Sequence, residues 1–338
     1  MKTRSILPIV LFLLFQTIAA QEKPALQNVD RVRLAEAFRL ADSLSEKVWK
    51  DWTKAPFAVL LVTPEYEFLM RHPSPSADFL PLGYDSRLKA DVSYRKRVFS
   101  PSFLATFPAI KGSMIPTIVV GRAEQTSAKT STPWVVVLLH EHFHQLQYSQ
   151  PNYYTDVEAL NLSHGDQTGM WMLNFAFPYE KKNVQDRFHL LSRLLTEAVQ
   201  ASPNQRKQNV NAYLHARTEF IQMLTAEEAR YFEFQFWQEG VARYTEYQIA
   251  KLANKKFKPS KQYAALPDYT SFSQAADELY ERNFKQLKNQ KLEVSRRDVV
   301  YPFGAAEALL LDRVNPKWKS RYFVDRFDLS KFYPRQRQ

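Results

Sequence analysis

The stretch Trp134-Val-Val-Val-Leu-Leu-His140-Glu141-His142-Phe143-His144-Gln145 places His-Glu-x-x-His inside an apolar, helix-prone run. At about 100° per residue, His140 and His144 lie one turn apart on one face, so their imidazoles can share one tetrahedral zinc. Glu141 falls beside them, where its carboxylate can take a proton from a zinc-polarised water and later return it to a leaving group. Thr132-Pro133 reads as an N-cap followed by a first-turn proline. Residues 134–139 are apolar all round, as in a helix buried on every side. Two histidines at this spacing, with an acid between them, are costly to bury without a partner such as a metal. His142 points to the opposite side and reads as a structural residue.

A catalytic zinc takes a third protein ligand and keeps one position open. The best candidate is Glu239, in Phe236-Trp-Gln-Glu239-Gly240-Val-Ala242-Arg243-Tyr-Thr-Glu246-Tyr247. Gly240 and Ala242 carry little or no side chain, so this helix is expected to press closely on the first and aim Glu239 at the metal. The alternative is an ion-pair ladder of Glu239, Arg243 and Glu246 along a solvated face. The aromatic run Tyr231-Phe-Glu-Phe-Gln-Phe-Trp237 argues against so exposed a helix. For an oxyanion donor, Tyr301 just before Pro302 is the candidate, with His164, Tyr153 and Tyr154 as alternatives.

His-Glu-x-x-His-Gln at 140–145 and Glu-Gly-x-Ala-x-Tyr-x-Glu at 239–246 resemble the two motif helices of the gluzincins, and of their aminopeptidase N-like branch in particular. The resemblance covers about 25 residues. It implies two histidines and a glutamate as zinc ligands, a late tyrosine near the site, and a strand along the cleft that pairs with the substrate backbone. Residues 117–122 are the candidate for that strand, with an ordinary interior strand as the alternative. The chain also departs from the pattern. The Gly-Ala-Met-Glu-Asn amine-binding motif is absent, so aminopeptidase activity is not carried over. Thermolysin-like gluzincins place an aspartate four residues after the ligand glutamate to orient the first histidine; here Arg243 stands there, and Glu246 is the candidate substitute.

Residues 1–20 read as a secretory leader, with Lys2 and Arg4, an apolar core over 6–15, and Thr-Ile-Ala-Ala before Gln21. The expected location is secreted or periplasmic, with no stable membrane span after cleavage; an uncleaved leader acting as an anchor is the alternative. With no cysteine, disulfides are excluded, and a chain this long buries enough surface without them. The 46 Lys and Arg against 35 Asp and Glu give a net charge of +11, yet the basic residues are dispersed among acids. No nucleic-acid motif accompanies them, so a solvated basic surface is expected.

An amphipathic helix is expected over 29–50, then strands over 57–63, 67–71 and 116–122, with proline-dotted loops over 73–116. Helices follow over 183–201, 205–224, 226–253, 271–288 and 304–313. The expected fold is α+β and zincin-like. An N-terminal α/β part (21–130) and a helical part (131–338) carrying both motifs together form one catalytic unit with the cleft between them. The functional expectation is an exported zinc metallopeptidase acting on a peptide or protein substrate. The rivals are a non-catalytic binding or scaffolding protein on a peptidase fold, and a basic protein that binds envelope polyanions.

Overall fold

The computed structural model describes residues 24–334; the leader expected at 1–20 and the final residues 335–338 lie outside them. The long helix α1 (Asn28–Val48) is followed by six strands, β1 (Val59–Val62), β2 (Tyr66–Met70), β3 (Leu80–Asp85), β4 (Ala90–Lys96), β5 (Leu104–Phe107) and β6 (Thr117–Gly121). The helical half comprises α2 (Ser131–Tyr148), α3 (Tyr153–Glu158), α4 (Trp171–Asn174), α5 (Lys182–Gln200), α6 (Pro203–Gln222), α7 (Ala226–Gln235), α8 (Val241–Lys256), α9 (Lys261–Ala264), α10 (Phe272–Asn289), α11 (Leu292–Ser295) and α12 (Val300–Val314). This is an α+β fold with a mixed six-stranded sheet and a mostly helical C-terminal half.

The sheet order is β3-β4-β2-β1-β6-β5, with β1 and β6 parallel and the other neighbours antiparallel. The central strands are covered on both faces, which is why they read as unbroken apolar runs. Val59, Leu61, Ile118 and Val120 join the main core with the helices. Leu60, Val62 and Val119 join a second apolar cluster containing Phe79 and Ile110.

Three expectations need correcting, and one alternative is decided. Residues 73–116 contain three strands as well as loops. Two of them evade periodicity: β3 is mostly exposed and carries Pro81 and Gly83 at a register shift, and β5 has only four residues. Of the two readings of 117–122, the interior strand is the one observed, flanked by β1 and β5, so β5 is the edge strand on this side. The helix α2 begins at Ser131, with Thr130 at its N-cap position, so Thr132 lies inside the first turn. There its hydroxyl donates to Thr270 O (2.6 Å). Finally, the helix expected over 226–253 is interrupted by a π-turn at Phe236–Gly240, and Gly240 faces α12 rather than α2. A β-carbon on Gly240 would lie 2.4 Å from Gly304 Cα. Glycine on both sides of this crossing lets the two backbones touch.

Candidate metal centre

The helix α2 is held in place by side chains on the side away from the ligands. Gln145 donates its amide to Ala58 O (2.9 Å) and Pro116 O (2.8 Å), at the starts of β1 and β6. Its carbonyl oxygen therefore faces His142 Nδ1 (2.8 Å), and the His142 ring stacks on Phe57 with centroids 4.0 Å apart. Burial lowers the His142 pKa to about 3, so it stays neutral there as a structural residue.

On the opposite face, His140, His144 and Glu239 come together with one ligand atom each within 4.8 Å of the others. The two Nε2 atoms are 3.1 Å apart, and Glu239 Oε2 lies 3.6 Å from His140 Nε2 and 3.3 Å from His144 Nε2. A tetrahedron with zinc–ligand bonds of about 2.0–2.1 Å has edges of about 3.3 Å, so the triad fits one face of a zinc tetrahedron. The π-turn delivers Glu239 to this point, and such bulges recur at functional sites.

The tautomers are fixed from behind. Gln147 points its amide nitrogen at Trp237 O (3.4 Å) and Gln238 O (3.2 Å), which can only accept. Its carbonyl oxygen therefore faces His144 Nδ1 (2.6 Å), which must be the donor, leaving the Nε2 lone pair aimed into the site. His140 Nδ1 donates to Glu246 Oε1 (2.7 Å), so its Nε2 also faces inward. Two lone pairs at 3.1 Å beside a carboxylate need a cation between them. Burial opposes charge on His140, but Glu239 and Glu246 outweigh it and raise its pKa to about 10.

Glu239 and Glu246 are both held ionised. Burial resists their charge, yet His144, Arg297 and His140 keep Glu239 well below the ordinary glutamate range. Arg243, His140 and Arg282 bring Glu246 down to about 2 against the same burial. Arg243 and Glu246 do pair (3.0 Å), but Glu239 turns to the histidines and to Arg297 (2.7 Å). The three residues thus form no continuous ladder.

Glu141 is buried and not among the clustered donors. Its Oε2 accepts from Thr106 Oγ1 (2.7 Å) on the edge strand β5. Tyr301 lies in the first turn of α12, its ring 6.3 Å from that of His140. Its hydroxyl accepts from Arg297 Nη1 (3.0 Å), which leaves its own hydrogen free to donate. Burial and Glu239 push its pKa up against Arg297, so the phenol stays protonated.

The alternatives to Tyr301 lie elsewhere. Tyr153 donates to Gln238 Oε1 (2.9 Å) within the core, Tyr154 is exposed, and His164 sits on the surface 3.4 Å from Glu227. Sequence reasoning passed over Tyr148 and Arg297. Tyr148 is one turn beyond His144 on the ligand face, and its ring stacks on that of His144 at 6.0 Å; the i+4 spacing was the available signal. Its hydroxyl accepts from Gln238 Nε2 (3.1 Å). Arg297 comes from the short 3₁₀ turn Arg296–Val299 before α12, too short for periodicity to mark it.

No helix among the described residues is long and apolar enough to cross a membrane. No family model, curated protein or solved structure matches this chain.

Proposed function

We propose that the chain is a zinc-dependent hydrolase of gluzincin type, exported through its leader and acting on peptide bonds. The observation that carries this reading is the donor triad of His140, His144 and Glu239, spaced for one tetrahedral ion, with the unligated carboxylate of Glu141 on the adjacent position of the same helix. A bound zinc would supply Lewis-acid polarisation of water and of the substrate carbonyl.

The protein's own groups supply the rest. Glu141, held at one oxygen by Thr106, is the general base for water and then the proton donor to the departing amine. Tyr301, with its hydrogen free, is the donor to the developing oxyanion; Tyr148 is a second phenol with the same freedom. The edge strand β5 runs beside α2 and takes the place that the resemblance assigned to residues 117–122. Its outer backbone groups can pair with an extended substrate chain. In this reading the mixed sheet, its edge strand and the two motif helices make a zincin-like arrangement.

The competing reading is a binding protein that keeps the metal for structure alone. A purely structural site has no use for an unligated glutamate beside its ligands, and structural zinc sites fill all four positions with protein ligands. Glu141→Gln separates the two readings. It is expected to keep zinc and fold while losing about a hundredfold or more in turnover on any substrate found. Equal activity in mutant and wild type would remove the mechanism, and loss of zinc would make Glu141 a ligand.

A further inference from the structure

We infer that Arg297 is a positioning residue that commits Glu239 to ligation through a single oxygen; this rests on the zinc reading above. Its guanidinium is held on every side. Nη2 donates to Glu239 Oε1 (2.7 Å) and Nη1 to Tyr301 Oη (3.0 Å). Nε is shared between Gln235 Oε1 (3.1 Å) and Met172 O (3.1 Å). A planar fork with this many partners cannot swing aside, and the group is only 14% exposed.

Glu239 has two oxygens, and they are not equivalent. Oε2 faces both histidine Nε2 atoms, whereas Oε1 is taken by Arg297. A free carboxylate can bind a metal through one oxygen or two, and the two-oxygen mode would consume the position that a catalytic zinc leaves for water or substrate. Arg297 removes that option. The same guanidinium occupies a lone pair on Tyr301, so it directs the phenol's hydrogen away from itself.

The backbone beside Arg297 is consistent with a position imposed by the fold. Arg296 has φ 46 and ψ −125, a left-handed conformation that is strained for a residue with a β-carbon. That turn carries the chain from α11 into α12 and sets Arg297 under Glu239. The carbonyl of Met172 that receives Nε also receives Tyr231 Oη and Gln235 Nε2, both at 3.0 Å. The α4 segment and the π-turn helix are thereby tied to the same guanidinium.

The test compares wild type, Arg297→Ala and Arg297→Lys, with zinc affinity read by chelator competition and coordination read from the visible spectrum of the cobalt(II) form. Arg297→Ala is expected to bind zinc about ten- to a hundredfold more weakly. Its cobalt bands should weaken, as they do when a four-coordinate ion gains a ligand. Arg297→Lys keeps the charge and loses the fork, so the same spectral change is expected with a smaller loss of affinity. If Arg297→Ala does not fold, judged by circular dichroism, the lysine variant carries the test. Unchanged cobalt bands in a folded variant overturn the single-oxygen assignment, even if affinity falls. A wild-type protein that takes up neither zinc nor cobalt would instead sink the zinc reading, leaving Arg297 as one half of a buried ion pair.

Discussion

Replacing Gly240 with alanine tests how the third ligand is placed. In an ordinary helix interior this change stabilises by about 1 kcal/mol. Here the new β-carbon would lie 2.4 Å from Gly304 Cα, 2.9 Å from Gly304 C and 3.0 Å from Val300 O. Apolar contact needs about 3.5–4.0 Å, so the π-turn and α12 must separate by about 1 Å. All three obstacles are backbone atoms in a packed helix, and none can rotate away. Overpacking of this kind costs about 1–3 kcal/mol, which outweighs the helical gain and reverses its sign. Glu239 precedes the substituted residue and moves with it. A displacement of about 1 Å changes its 3.3 and 3.6 Å separations from the histidines and spoils a triangle matched to bonds of about 2 Å. Gly240→Ala should therefore melt a few degrees lower and bind zinc at least about tenfold more weakly, as read by thermal denaturation and chelator competition. A variant that melts higher than wild type and holds zinc equally well would refute this account of the crossing.

Two further outcomes are expected. Glu246→Ala leaves His140 Nδ1 and Arg243 without their shared carboxylate, and zinc affinity should fall about ten- to a hundredfold; wild-type affinity would show that Glu246 does not orient the ligand. Glu233 shares the buried Arg217 with Glu307, and burial, against Arg217, raises its pKa to about 8. The folded chain then keeps a proton that the unfolded chain releases above about 4.5, so stability is fully present below that pH and declines as pH rises to about 8. Glu233→Gln should flatten that decline in melting curves taken across this range; an unchanged slope would assign it to other groups.

The ligand helix was legible because its signal is local. Spacing alone puts His140, Glu141 and His144 together, and the apolar run before them announces burial. Glu246 was legible as a residue on the Glu239 face. The partners that come from far along the chain were not. Arg297 stands 58 residues from the glutamate it holds, and an arginine pair in a four-residue 3₁₀ turn carries no pattern that names a partner. Gly240 advertised a close approach, but a glycine names no partner; only the reciprocal Gly304 shows that α12 is the neighbour. The π-turn was hidden for a related reason, since one extra residue in a helical turn is set by what the helix packs against. Thr106 lay in a four-residue edge strand too short for alternation to mark, although it holds the proposed base.

The most direct measurement is the metal content of the purified chain, prepared with zinc present, beside His144→Ala and Glu239→Ala. The account predicts close to one zinc per wild-type chain and a sharp loss in both variants, since each removes a vertex of the donor triangle. A folded wild-type protein that emerges metal-free would contradict it, as would zinc retained in full by both variants.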